Sequence, residues 1–142
     1  MHWAGWALLS AAFAGITAVL VKAGTRTVEP NLATALRTTV ILLLVWGIAL
    51  ATGKPDWKQL TGRSTLYLVL SGFATGLSWL CYFRAMHLGQ ASAVASVDKL
   101  SVVFAIALAG LFLGEEIGWQ HWLGGSLIVA GAIIIATKPT QC

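Results

Sequence analysis

Asp98 and Lys99 stand side by side in a run from Ser92 to Leu113 that carries no other charge. A charge inside a membrane-length apolar segment costs at least about 2.5 kcal/mol and as a rule faces a cavity or a partner. The chemistry open to Asp98 is proton or cation binding, with Lys99 either pairing with it or contacting an anionic group of a substrate. The alternative is a helix-end pair in which Lys99 snorkels toward the headgroups, the direction its Cβ already points. Neighbours on a helix lie about 100° apart, so the two do not face one spot squarely. Arg37 is a third charge within an apolar segment: it either binds an anionic group or reaches the headgroups with its long stem and serves topology. Lys22 and Arg84 fall at the ends of apolar runs, where snorkelling is the default.

A second set of polar side chains is spaced as a helix would align it. Ser71, Thr75, Ser78 and Tyr82 follow one another at intervals of 4, 3 and 4 and make one stripe. With Trp79 as a further aromatic wall, the stripe suits the lining of an aqueous cavity; equally, small hydroxyls in membranes bond their own preceding carbonyls or hold helices together. Gly72 and Gly76 form a GxxxG on a neighbouring face, and Gly124, Gly125 and Gly131 permit close approach farther on, so helix packing or dimer contact is expected at these glycines. Near the start, Trp6, Ser10 and Thr17 share a face that can join the cavity, with Gly15 offset from it. Glu115 and Glu116 follow Gly114 as hydrated carboxylates. His2, His87 and His121 show no metal spacing, and Cys81 and Cys142 no disulfide or zinc spacing. No nucleophile with a base, HExxH or glycine-rich phosphate loop stands in the chain, so neither an enzyme, a metal site nor a cofactor is expected.

The elements that must carry these residues follow from composition. The 142 residues are 58% hydrophobic and 10% charged, with mean hydropathy +0.82. An ordinary soluble domain is about 25% charged, and a chain this short has too little interior to hide so much apolar surface. The excess faces lipid: an all-α integral membrane protein. At about 20 residues per transmembrane helix, five helices fit. The apolar runs place them at about 3–21, 33–52, 65–83, 92–113 and 118–137 within one domain covering 1–142. Met1-His2 supplies no basic start for a signal peptide, so the first span is expected to stay uncleaved. Pro30 suits a helix start, and 53–64 is the longest polar loop.

The net charge of +4 is spread over single basic residues rather than massed in a patch, so membrane-flanking charge is expected and nucleic acid is not. Five spans put the termini on opposite faces. Loops on the N-terminal side hold Lys54, Lys58 and Arg63; those on the other side hold Lys22, Arg26, Arg84 and Lys138. Three against four is close to balanced, which permits insertion either way up; adding Arg37 and Lys99 to the second side makes it three against six.

These residues also have a familiar order. The stretches Tyr82 to Gly89 (YFRAMHLG), Val97 to Val103 (VDKLSVV), Leu113-Gly114-Glu115 and the glycines from Gly124 to Gly131 resemble the EamA domain of the drug/metabolite transporter superfamily. Asp98-Lys99-Leu100-Ser101, with Ser78 to Phe83 before it, is particularly similar to the single-domain, five-helix branch. The resemblance runs from Trp6 to Ala136. It implies one half of a ten-helix inverted-repeat transporter, completed by a second copy inserted oppositely or by a related partner chain, with alternating access through a central cavity. Ser96 and Ser101 stand where many relatives have prolines, so the resemblance carries no kink over to the fourth helix.

The leading expectation is thus a secondary transporter of small organic metabolites or drugs in the cytoplasmic membrane, working as an antiparallel dimer. Asp98, Lys99 and Arg37 would bind or couple, and Ser71, Thr75, Ser78, Trp79, Tyr82, Ser10 and Thr17 would line the path. The rivals are a non-transporting subunit that pairs with another membrane protein and a component of a lipid-linked sugar flippase.

Overall fold

The computed structural model describes residues 2–53 and 60–137. Lys54, Lys58 and Lys138, which enter the loop charge count, and Cys142 lie outside them. The described residues are helical, without strands. The helices are α1 (Trp3–Gly24), α2 (Pro30–Thr52), α3 (Gly62–Leu88), α4 (Ala91–Asp98), α5 (Ser101–Leu108), which ends in a π-helical turn over Ala109–Leu113, and α6 (Trp119–Ala136). With α4, α5 and the π turn taken as one interrupted span, five segments are long and apolar enough to cross a membrane. Their hydropathy is possible in lipid because a helix satisfies its own backbone hydrogen bonds. Within each span no more than 11% of the residues are buried, which leaves most side chains to lipid or to another chain.

Helix ends follow local chemistry. α2 begins at Pro30 rather than three residues on: Pro30 needs no N–H partner in the first turn, and the Leu32 N–H donates to the Glu29 carboxylate at 2.9 Å. α3 runs past Phe83 through Arg84 to Leu88, because a basic side chain that can snorkel ends the apolar run without ending the helix. The π turn stops at Gly114, whose φ of 67° is a left-handed cap that glycine adopts without a Cβ clash.

The chain divides into two compact units, Met1–Lys22 with Leu88–Cys142, and Ala23–His87. In the first, α6 packs against α4 and α5. Gly125 and Ala132, two helical turns apart, are its buried positions on α6. A Cβ on Gly125 would sit 3.8 Å from a Val103 methyl, so the backbone of α6 approaches the fourth span closely there. In the same unit, Lys22 Nζ donates to the Gly89 carbonyl at 2.6 Å. In the second unit the most buried side chains, Thr25, Thr34, Phe83 and Met86, belong to the end where α2 starts and α3 finishes. Thr34 returns its hydroxyl to the Pro30 carbonyl at 2.8 Å, and His87 Nδ1 donates to the Thr25 carbonyl at 2.8 Å.

Candidate functional site

Asp98 is the last residue of α4, and the helix is interrupted immediately after it at Lys99 and Leu100. There the backbone shifts to bonds spanning three residues: Lys99 N–H to Ser96 O at 3.2 Å, Leu100 N–H to Val97 O at 3.0 Å, Val102 N–H to Lys99 O at 3.1 Å and Val103 N–H to Leu100 O at 2.9 Å. This tighter 3₁₀ winding changes the direction of successive side chains. Lys99 Nζ lies 3.8 Å from Asp98 Oδ2, with the two side chains 58% and 40% exposed. Seven residues separate Asp98 from Ala91, about 10 Å along the helix axis. The fourth span therefore carries an acid-base pair at a break in its backbone, well away from its end.

In the other unit, Arg37 of α2 reaches α3. Its guanidinium carbon lies 4.7 Å from the Trp79 ring centroid and 5.6 Å from that of Phe83. Trp79 and Phe83 are one helical turn apart and present their rings to the same cation. Phe83 in turn meets the half-buried Tyr82 edge-on, centroids 6.4 Å apart. The contribution of Phe83 escapes a reading of polar residues; its four-residue spacing from Trp79 is the sequence signal that marks it.

Ser71, Thr75 and Ser78 are exposed along α3. Thr75 donates its hydroxyl to the Ser71 carbonyl at 2.9 Å, and Ser96 does the same to Ser92 at 2.7 Å, so these hydroxyls are engaged by their own helices. Replacing Thr75 with Val, which keeps the shape, is expected to change stability by less than about 1 kcal/mol in a thermal unfolding measurement, since a hydroxyl held by its own helix contributes little net free energy. Gly72 and Gly76 border an open apolar groove with Val69, Phe73, Leu77 and Leu80, and nothing approaches the Cβ position of either glycine within 4 Å. Gly124 and Gly131 are likewise open, unlike Gly125. On α1, Ser10 is exposed and Thr17 half-buried. Asp98, Lys99, Ser10, Thr17 and the α6 glycines thus belong to one unit, and Arg37, Trp79, Tyr82 and the α3 stripe to the other. Among the described residues no three His, Cys, Asp or Glu side chains come together as a metal site.

Five helices long and apolar enough to cross a membrane define a multi-pass membrane protein. The chain matches the EamA-like transporter family over residues 1–137 and belongs to that family. It is 49% identical over 137 residues to a Sinorhizobium sp. protein described as an uncharacterized transporter in the cobO 3'region, covering 94% of this chain and 96% of that one. It is 26% identical over 135 residues to a riboflavin transporter of Rhizobium johnstonii, and 30% identical over 93 residues to a probable terminal-alkyne amino-acid exporter of Streptantibioticus cattleyicolor. These matches cover 92% and 63% of this chain, but only 44% and 30% of the two longer relatives. No solved structure matches the chain.

Proposed function

We propose that the chain is a secondary transporter of small organic metabolites or drugs in the cytoplasmic membrane, and that two copies inserted in opposite orientations form one alternating-access unit. The observation that carries the reading is the interrupted fourth span with Asp98 at the break. Transporters place ions and substrates where a spanning helix is discontinuous, because freed backbone groups and a nearby charge can then face a cavity instead of lipid. The length relation agrees: nearly all of this chain corresponds to less than half of the riboflavin transporter, as one half of a two-half protein would.

In this reading Asp98 takes up the coupling proton, and Lys99 holds the carboxylate when that proton has left. Arg37 with Trp79, and the Ser71, Ser78 and Tyr82 side of α3, contact the substrate. Ser10 and Thr17 extend the polar lining from α1. Gly72, Gly76, Gly124 and Gly131 contact the second copy through faces that lie open in one copy. The test is accumulation of riboflavin by liposomes containing the purified chain under a pH gradient. Gradient-dependent accumulation above that of protein-free liposomes is expected; its absence would contradict transport of this compound and favour a non-transporting subunit.

A further inference from the structure

We infer that Arg37 is the seat of an oxyanion-binding site, in which a guanidinium positioned by Trp79 and Phe83 takes a carboxylate or phosphate group through its N–H fork. The site deepens the transport reading by naming the chemical class of the ligand, and it rests on that reading for what the anion does there.

The placement comes first. Arg37 follows Pro30 by seven residues, about 10 Å along α2, and Trp79 precedes Leu88 by nine, about 13 Å from the end of α3. The cation is therefore held inside the spanning segments by contacts to another helix. Its charge is answered differently from the other in-span charges. Asp98 and Lys99 face one another at 3.8 Å, whereas the groups facing Arg37 are two rings, and no acidic side chain pairs with it among the described residues. Ring faces attract a cation but accept no hydrogen bond along the edge of a guanidinium. Five N–H donors and no acceptor leave Arg37 with a directional requirement that the rings do not meet. An oxyanion meets that requirement, and the planar fork matches the paired oxygens of a carboxylate or phosphate. The two rings, one turn apart on α3, hold the fork in place in advance, which lowers the ordering cost of binding.

Such an oxyanion has two sources, a translocated organic anion or the phosphate of a lipid headgroup. The full chain, purified in dodecyl maltoside, whose headgroup is an uncharged sugar, is titrated with benzoate, with inorganic phosphate and with a short-chain phosphatidylglycerol. Thermal unfolding is followed for the wild type, Arg37→Lys and Arg37→Met. A saturable upward shift is expected, with half-saturation at least about tenfold higher in both variants, because a charge-assisted hydrogen-bonded pair is lost in one and its bidentate form in the other. A response to benzoate or inorganic phosphate identifies a free anion as the ligand; a response confined to phosphatidylglycerol identifies the headgroup. Arg37→Lys keeps the positive charge and supplies the comparison if Arg37→Met does not fold. No saturable response to any of the three probes, or equal responses in the wild type and Arg37→Lys, would overturn the site. Binding is read without a gradient or flux, so an Arg37-dependent shift in a chain that accumulates nothing would sink transport alone. Accumulation without such a shift would sink this site alone.

Discussion

Replacing Asp98 with Asn is expected to abolish pH-gradient-driven accumulation in liposomes while leaving folding nearly unchanged. The amide keeps the size and hydrogen-bonding reach of the carboxylate but cannot gain or lose a proton, so the loss would belong to coupling. The cost to stability is expected to stay small, because the ion pair is long at 3.8 Å. Freed of its partner, the lysine can extend toward the headgroups. Gradient-driven accumulation and thermal unfolding, measured on the same preparations, separate the two effects. Unchanged accumulation in Asp98→Asn would remove Asp98 from the coupling path.

The second large effect is expected at Gly125, a buried position of α6 that meets the fourth span. An added Cβ would meet the Val103 methyl at 3.8 Å, an ordinary van der Waals distance, so Gly125→Ala is expected to be neutral. Gly125→Leu adds three more carbons against the same neighbour and must push the helices apart, at a cost of about 1–3 kcal/mol. Gly124, one residue earlier, has nothing within 4 Å of its Cβ position, so Gly124→Leu is expected to leave the unfolding midpoint of the single chain unchanged. A midpoint for Gly125→Leu equal to that of the wild type would mean that α6 does not depend on this approach. The contrast between the adjacent glycines separates packing within the chain from contact with a second copy.

The five spans were legible because the bilayer reads composition over about 20 residues, and the apolar runs reach that length between polar connectors. Pro30 marked a helix start for a backbone reason that needs no tertiary context. The end of α3 was not legible, because hydropathy reports where lipid ends, and the helix continues past Arg84 to Leu88. The interruption at Lys99 and Leu100 had no proline or glycine to mark it, and the Ser, Val and Asp residues beside it are only moderate helix formers that occur in unbroken helices as well. Arg37 could be singled out as a charge in a span, but its meeting with Trp79 and Phe83 depends on which faces of α2 and α3 turn toward each other. Spacing along one helix defines faces and leaves their partners open. The same limit applies to the glycines of α6, of which Gly125 meets a neighbour and Gly124 and Gly131 do not.

Two oppositely inserted copies forming one transporter is the central claim, and the orientation of the C-terminal end tests it most directly. In a Cys81→Ala background Cys142 is the remaining cysteine, and a membrane-impermeant thiol reagent can be applied to intact cells and to inverted vesicles. The near balance of loop charges, three against four, permits insertion either way up, and the antiparallel pair predicts two populations, one labelled from each side. Labelling from one side alone would contradict the antiparallel pair.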